Sequence, residues 1–271
     1  MCSVSSGVVE TLDLQRRDGI VTITLQRPHR KNAVNAVMWR ELLEAFRAIG
    51  PNGDDRAVII TGAGGEFCSG QDLSPQDVAV DDAPEQPRNR LASMRHVGNV
   101  CLALHRLPQP VIAKVRGFAV GAGCNLALGC DLVVAGPTAR FSQIFARRGL
   151  SVDFGGSWQV PRRVGLHKAK ELALLADIID AAEAERIGLV NKVVADDQLD
   201  AFVDDWAARL AAGPPIALAL TKRMLDNSMN VTFEQALDDE SASQAVNFGT
   251  TDTLEAMAAF IEKRTPRFEG R

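Results

Sequence analysis

The chain has 271 residues, 46% hydrophobic and 24% charged, which is enough apolar material for one large domain or a core with an appended helical part. A formal net charge of −4 supplies no broad basic face and excludes a general nucleic-acid binder. The cysteines at positions 2, 68, 101, 124 and 130 are odd in number and scattered, so they predict a reducing compartment rather than a disulfide framework.

The first twenty residues carry Glu10, Asp13 and Asp18 and no long apolar run, so we expect neither a signal peptide nor an anchor. No apolar stretch approaches the roughly 20 residues that a bilayer-spanning helix needs. The histidines are dispersed, and no group of Cys and His has the spacing of metal ligands. These features predict a cytoplasmic protein without a bound metal.

The first part of the chain alternates strand and helix patterns. Residues 19–25 alternate apolar and polar side chains, which is typical of a half-buried strand. Asn35 is a suitable N-cap for a helix that runs to about Ile49. A short buried strand at residues 57–60 follows. Residues 74–90, rich in Asp, Pro and Gln, are predicted to be exposed and mobile.

The pattern continues with a helix over 91–106, a strand over 111–115, a short helix over 122–129 and a strand over 132–135. Strand–turn–helix units recur to residue 195, so the core is predicted to be α/β. After Asp196 only helices are predicted, over 198–212, 215–229, 232–247 and 251–264. We therefore divide the chain into a core, residues 1–197, and a C-terminal helical region, residues 198–271, which should pack on the core or on a neighbouring subunit.

Two glycine-rich turns, residues 61–73 and 116–124, follow strands. Neither has the third glycine of a dinucleotide-binding fingerprint, because Phe67 and Leu126 occupy that position, and no Walker lysine follows. The N–H groups near Ala122 begin a helix and have no intrahelical acceptor. With a second N–H from the first turn they would form an oxyanion hole, in which each donor contributes about 3–4 kcal/mol. The alternative, which each turn favours when taken singly, is a tight connection that needs positive φ.

The two turns together carry a family resemblance. Residues 65–73, GEFCSGQDL, resemble the first oxyanion motif of the crotonase (enoyl-CoA hydratase/isomerase) superfamily, and residues 117–127 resemble the second. The resemblance extends from about residue 8 to 268. It implies a spiral of ββα units with a C-terminal helical trimerisation region, and a homotrimer or a dimer of trimers. It also implies an acyl-CoA thioester ligand with no further cofactor.

By motif position, the resemblance makes the backbone N–H groups of Gln71 and Ala122 the two donors. Ala122 replaces a common family glycine, and the N–H survives that change unless the position requires a positive φ. The family also implies contacts with coenzyme A from six positions, the last reaching a neighbouring subunit: Arg30, Lys31, Ala33, Ser69, Asp72 and Lys263. For the three basic residues, solvated surface charge is the alternative interpretation.

The sequence departs from the hydratases of this family at both catalytic glutamates. Asn125 and Phe145 stand at the two positions. An asparagine cannot take a proton at neutral pH, and a phenylalanine can neither donate nor accept one. Addition of water by a glutamate pair is therefore not expected, and we expect Asn125 and Phe145, with Trp158, to line the acyl pocket.

One carboxylate remains well placed. Asp153 falls where several acyl-CoA isomerases of the superfamily carry a catalytic Asp, and the ring-epoxide isomerases show a similar Asp-x-Gly-Gly-x-Trp. One base can move a double bond by taking an α-proton and returning it to the γ-carbon, and burial among Phe145, Phe154 and Trp158 would raise its pKa. The alternative is a turn residue that bonds its own loop. We predict an enoyl-CoA isomerase; the alternatives are an enoyl-CoA hydratase that uses Asp153 alone and a non-catalytic acyl-CoA-binding protein.

Overall fold

A computed structural model describes residues 9–74 and 90–271 of the chain. The predicted exposed segment, residues 74–90, lies outside the described residues except for its two ends. The strands of the described part are β1 (Leu12–Arg17), β2 (Ile20–Leu25), β3 (Ala57–Gly62), β4 (Val111–Val115), β5 (Phe118–Val120), β6 (Leu132–Ala135), β7 (Arg140–Ser142), β8 (Ile179–Asp180) and β9 (Lys192–Val193). The helices are α1 (Ala36–Ile49), α2 (Arg90–His105), α3 (Ala122–Leu128), α4 (Gly156–Leu175), α5 (Ala181–Arg186), α6 (Leu199–Ala211), α7 (Pro215–Asn227), α8 (Phe233–Phe248) and α9 (Thr251–Glu262).

The strands form two sheets. The larger has the order β1-β2-β3-β4-β6-β9, in which β1 and β2 are antiparallel and the other neighbours are parallel. The smaller has the order β5-β7-β8, with β5 and β7 parallel. Parallel neighbours joined through helices confirm the predicted α/β core. Short 3-10 turns occupy Pro28–Arg30, Ala63–Gly65 and Ile144–Arg148.

The two faces of the large sheet are covered by different helices. On β2 the alternate residues Val21, Ile23 and Leu25 are fully buried, as the two-residue period predicts, and they join the main core with α1 and α2. On the opposite face, Ile59, Ile112 and Val134 pack with Val203 and Ala207 of α6. The sheet that ends at the glycine turns is therefore buried on both sides, which holds those turns rigidly.

Helix α1 begins where the sequence predicts. The side chain of Asn35 accepts a hydrogen bond from the N–H of Met38 at 3.0 Å, which satisfies one of the N–H groups that the helix leaves without an acceptor. Helices α2 and α3 also lie within one residue of their predicted limits. Strands β1, β5, β7, β8 and β9 and helices α4 and α5 were not individually predicted.

The four helices predicted after residue 196 are present as α6 to α9. Helix α6 packs on the sheet, whereas α7, α8 and α9 extend beyond it. The division of the chain at residue 197 stays a prediction. Within the described ranges, no helix combines the length and the apolar character that a membrane crossing requires.

Candidate active site

The two glycine turns lie side by side, because the chain after the first turn pairs with β5. Cys68 and Ala119 form a parallel bridge, in which the N–H of Cys68 donates to Phe118 O at 2.7 Å and the N–H of Val120 donates to Cys68 O at 3.0 Å. Glu66 adds a side-chain link, since its Oε2 accepts from the N–H of Phe118 at 2.6 Å. Backbone pairing thus fixes the position of one turn relative to the other.

Gly70 is the point of closest approach between the turns. Its φ is 98°, and a Cβ at this position would lie 2.9 Å from Val120 O and 3.9 Å from the nitrogen of Ala122. A side chain would be strained by that φ and would collide with a backbone carbonyl. Gly70 therefore allows the residue that follows it, Gln71, to approach the start of α3.

The N–H of Gln71 points away from the chain that pairs with it. In the parallel bridge between Val34 and Gln71, the N–H of Val34 donates to Gly70 O at 2.8 Å and the N–H of Asp72 donates to Val34 O at 2.8 Å. These two hydrogen bonds use the carbonyl of Gly70 and the N–H of Asp72. The N–H of Gln71, which lies between them, therefore faces away from Val34. Within residues 9–74 and 90–271, no atom accepts a hydrogen bond from that N–H.

The second predicted donor begins helix α3. Gly121, with φ 55°, is the N-cap, and its own N–H donates to Ser142 O at 2.8 Å. Ala122 is the first helical residue, so its N–H has no intrahelical acceptor. Ala122 is not among the residues with positive φ, so alanine fits where the family commonly has glycine. The structure thus leaves the N–H groups of Gln71 and Ala122, on two adjoining turns, without a hydrogen-bond acceptor among the described residues.

Asp153 lies in the turn that precedes α4. Its carboxyl is partly buried, and its Oδ1 is inaccessible to solvent and without a hydrogen-bond partner in the described part of the chain. Burial raises the pKa of the Asp153 carboxyl to about 6. A carboxyl of that pKa is mostly ionised at neutral pH yet accepts a proton more readily than an exposed aspartate, as a general base requires.

The turn that carries Asp153 is held in place by Asn125. The side chain of Asn125 is completely buried, donates from Nδ2 to Asp153 O at 2.8 Å and accepts from Gln143 Nε2 at 2.7 Å. Both of its polar atoms are therefore used within the protein. The prediction that Asn125 lines the acyl pocket is not favoured by this geometry, since its amide faces the backbone of the Asp153 turn.

The three aromatic side chains predicted around Asp153 lie in different places. The ring of Phe145 is buried and lies 3.8 Å from the position that a Cβ on Gly121 would occupy. Phe154 is buried and stacks on Trp39, with ring centroids 5.0 Å apart. Trp158 points elsewhere: it meets His105 edge to face at 5.5 Å, and the Arg162 guanidinium lies 3.8 Å from the centre of its ring. Phe145 and Phe154 thus contribute to the apolar surroundings predicted for the site.

Comparison with known proteins identifies the family. A family model described as enoyl-CoA hydratase/isomerase matches residues 15–271. The chain is 36% identical over 253 residues to the 1,2-epoxyphenylacetyl-CoA isomerase of Escherichia coli K12, covering 93% of this chain and 96% of that protein. It is also 36% identical over 255 residues to the short-chain-enoyl-CoA hydratase of Clostridium acetobutylicum, covering 93% and 94%.

The chain belongs to the enoyl-CoA hydratase/isomerase family. A crystal structure of an enoyl-CoA hydratase from Bacillus anthracis matches its fold with a TM-score of 0.90 at 30% identity, covering 97% of this chain and 100% of that one. The predicted crotonase fold, with its C-terminal helices, is therefore confirmed, and the protein is an acyl-CoA enzyme of this family.

Three of the predicted coenzyme A contacts lie next to the first turn of this family member. Arg30 is exposed at the end of a 3-10 turn, and its carbonyl accepts from Ser69 Oγ at 3.3 Å. Lys31 is also exposed, forms an ion pair with Glu66 at 3.2 Å and lies 4.4 Å from the centroid of Phe118. The basic groups therefore lie beside the first oxyanion motif, and their contact with coenzyme A stays a prediction.

Two other predicted contacts are buried and serve the turn itself. Asp72 forms an ion pair with Arg27 at 2.9 Å, and both side chains are largely buried. Arg27 also donates to the carbonyl of Ala33, itself buried, at 2.6 Å. Asp72 and Ala33 thus stabilise the segment that positions Gln71, and their side chains do not face solvent. Lys263 ends α9 in a left-handed conformation and is exposed, far along the chain in the C-terminal helices.

The thiols beside the donors are unsuited to nucleophilic chemistry. Burial raises the pKa of Cys68 and of Cys124 to about 12 each, so both remain protonated at neutral pH. Both side chains therefore act in packing. No group of three or more possible metal ligands occurs among residues 9–74 and 90–271.

Sequence reasoning missed Trp39, Arg27 and Gln143 as contributors to the site. Trp39 contacts both the Gln71 side chain and Phe154, Arg27 pairs with Asp72, and Gln143 supports Asn125. Trp39 carries no signal in the sequence, because a tryptophan on the apolar face of an amphipathic helix is ordinarily a core residue. Arg27 could have been found as the charge that a buried aspartate in the first motif requires.

Proposed function

We propose that this enzyme is an acyl-CoA isomerase that moves the double bond of an enoyl-CoA thioester, with Asp153 as its single base. The observation that carries the proposal is the Asp153 carboxyl, which combines a buried oxygen that has no partner in the described part of the chain with a pKa of about 6. The N–H groups of Gln71 and Ala122, which have no acceptor in the described ranges, support it, since they are suited to bind the thioester oxygen.

The proposed reaction begins with a 3-enoyl-CoA whose thioester oxygen accepts hydrogen bonds from Gln71 and Ala122. The Asp153 carboxylate takes a proton from C2, and the electron pair delocalises over a dienolate whose oxygen carries the developing negative charge. The donors stabilise that charge without reorganising. The carboxyl then returns the proton to C4, which forms the 2-enoyl-CoA and restores the carboxylate. Protons and electrons balance, and no cofactor beyond the coenzyme A of the substrate is needed.

Asn125 and Phe145 favour isomerisation over hydration. Addition of water requires a group that activates water and a group that delivers a proton at C2. Asn125 is bonded on both sides within the protein, and Phe145 has no polar side-chain atom. Isomerisation needs only one group that takes a proton from C2 and then gives a proton to C4. Asp153 alone can do both.

A second candidate is the isomerisation of an aryl-epoxide thioester. It is favoured by the 36% identity to the 1,2-epoxyphenylacetyl-CoA isomerase and by the Asp-x-Gly-Gly-x-Trp of residues 153–158. The same oxyanion hole and the same carboxyl would serve this substrate by taking a proton from C2. The two candidates differ in the acyl group and in the bonds that rearrange after that proton leaves.

A panel of thioesters tests the proposal. 3-Hexenoyl-CoA should gain the ultraviolet absorbance of a conjugated 2-enoyl thioester, 1,2-epoxyphenylacetyl-CoA should be consumed if the second candidate holds, and crotonyl-CoA should keep its absorbance. Loss of the crotonyl-CoA absorbance at a comparable rate would show a hydratase instead. Tight binding of every thioester without turnover would show an acyl-CoA-binding protein.

A further inference from the structure

The backbone beside the proposed base is in an unfavourable conformation. Phe154 directly follows Asp153 and has φ 45°, in the left-handed region that side chains with a Cβ rarely adopt, and Gly155 follows with φ 75°. A phenylalanine persists there only when its surroundings hold it. The direction in which Asp153 projects therefore depends on whatever holds Phe154.

Trp39 of α1 supplies that support. Its indole stacks on the ring of Phe154 with a centroid separation of 5.0 Å and an interplanar angle of 23°, and each residue is only 3% exposed. The stack fixes Phe154 from the side of α1, while Asn125 fixes the carbonyl of Asp153 from the side of α3. The turn is thus held by two elements of the rigid core.

The same indole also contacts the first oxyanion turn. Trp39 Nε1 donates to Gln71 Oε1 at 3.0 Å, and Gln71 is otherwise an exposed residue. One side chain therefore touches the residue that supplies the first N–H donor and the residue adjacent to the base. Trp39 links the two halves of the site directly.

We propose that Trp39 is a positioning residue, which sets the Gln71 donor and the Asp153 base at the separation that the dienolate needs. This inference rests on the isomerase function proposed above. Proton transfer requires the carboxyl to stay within hydrogen-bond reach of C2 while the thioester oxygen stays on its donors. Trp39 touches neither substrate atom; it acts through Gln71 and Phe154.

Two substitutions separate the contacts. Trp39→Phe keeps an aromatic ring against Phe154 but removes the Nε1–H that holds Gln71, and Trp39→Leu removes both contacts. We expect kcat for double-bond migration to fall about tenfold or more in Trp39→Leu and less in Trp39→Phe, with KM within about threefold of the original value. If Trp39 only filled the core, its replacement would lower the unfolding temperature and leave the kcat of the folded enzyme unchanged.

Trp206 provides the matched control. It packs against Phe202 on α6 with centroids 4.9 Å apart, on the opposite face of the large sheet. Trp206→Leu should lower stability and leave kcat unchanged. The proposal is overturned if Trp39→Leu, checked for folding by circular dichroism, keeps its kcat within about twofold, or if Trp206→Leu loses kcat equally.

A second measurement does not depend on turnover. The Asp153 carboxyl can be titrated by carbon NMR in protein labelled at aspartate, with the signal assigned by its loss in Asp153→Asn. Release of the turn in Trp39→Leu should admit water and move the midpoint toward the ordinary aspartate value near 4. An unchanged midpoint would overturn the positioning role. If the original enzyme proves inactive on every isomerase substrate, the proposed function fails while this titration still decides whether Trp39 holds the turn.

Discussion

The pKa of the Asp153 carboxyl is raised without a charged neighbour. Desolvation is the cause of its raised pKa, and neither Asn125 nor Phe145 places a second carboxylate beside it. The hydrogen bond from Asn125 goes to the backbone carbonyl of Asp153 and so positions the turn without stabilising the carboxylate. The residue at the first glutamate position therefore supports the turn, and the proposed mechanism gives it no part in proton transfer.

The pH dependence of catalysis follows from this pKa. The base must be ionised to take a proton from C2, so kcat/KM should be constant above about pH 7 and fall about tenfold per pH unit below about pH 6. Initial rates of isomerisation between about pH 4.5 and 8.5 measure this profile. An acid limb with its midpoint near 4 would show that the carboxyl is solvated, contrary to the structure.

The same burial predicts that Asp153→Asn stabilises the fold. The folded pKa of about 6 exceeds the ordinary value of 3.8, so the folded state binds more protons between these values and loses stability as pH rises through this window. Because the carboxyl is partly exposed, we expect a gain of only about 1 kcal/mol for the variant at about pH 7.5. Urea denaturation measures it, and the gain should vanish near pH 4. A variant less stable than the original enzyme at the higher pH would contradict the burial of an unpaired charge.

The approach of the two glycine turns determines where the proposed oxyanion hole lies. Cys68 pairs with Ala119, and Gly70 lies against Val120 and Ala122. The separation of the two donors is therefore set by backbone hydrogen bonds and by the absence of a Cβ at Gly70. The buried ion pair between Arg27 and Asp72 holds the chain that follows.

Gly70→Ala should disrupt this approach. The added Cβ would meet Val120 O at 2.9 Å in a backbone with φ 98°, so we expect a loss of about 1–3 kcal/mol in stability and a fall of at least about tenfold in kcat/KM. Gly53→Ala is the control, since nothing lies within 4 Å of the Cβ that alanine would add there and the φ of Gly53 is not positive. Equal kcat/KM for both variants would show that the turns do not need this close contact.

The sequence predicted elements with a regular pattern well, and it predicted two-residue strands and interrupted helices poorly. Helix α1, with its Asn35 cap, and strand β2, with its alternating residues, satisfy local rules that need no tertiary information. Strands β8 and β9 have two residues each, too few to show a period, and α4 contains Pro161 and is interrupted at Gly165 with φ 75°. Such elements form because of their contacts with the surrounding sheet and core, and not because of a local sequence pattern.

Within the site, motif positions predicted the two adjoining turns, whereas side-chain contacts were not predictable. The structure brings Gln71 and Ala122 onto neighbouring turns, as the resemblance implied. Asn125 and Asp72 were interpreted as ligand contacts, and the structure uses them to hold the Asp153 turn and to pair Arg27. These partners lie 28 and 45 positions apart in the chain, so no local pattern identifies them, although a buried aspartate by itself indicates that a basic side chain lies nearby.

At the scale of the whole molecule, the C-terminal helices leave large apolar side chains exposed. Phe233, Phe260 and Ile261 are 81%, 86% and 78% exposed in the single chain. Scattered apolar residues are normal on a surface, but several large ones together on α8 and α9 favour the association that the family resemblance implies. We therefore propose a homotrimer, or a dimer of trimers, with Lys263 available to a neighbouring subunit.

Light scattering tests the assembly. The molar mass should be three or six times the 29.2 kDa of the chain. Phe260→Glu should shift it toward the single chain, because a carboxylate would be buried without a partner in the interface. A monomer at micromolar concentration would contradict this assembly and would leave the exposed aromatic residues unexplained.

The exchange of C2 protons with deuterated water tests the central claim most directly, because it reports a base next to a bound enolate whatever the final product is. The partly exposed Asp153 carboxyl can exchange its proton with solvent before giving it back. When 3-hexenoyl-CoA is incubated with the enzyme in deuterated water, mass spectrometry should therefore show deuterium at C2 of the recovered substrate and at C4 of the isomerised product. Asp153→Asn should slow this exchange by about 10²-fold or more, while the dissociation constant for the thioester stays within about threefold. Exchange at the original rate in Asp153→Asn would contradict the assignment of the base.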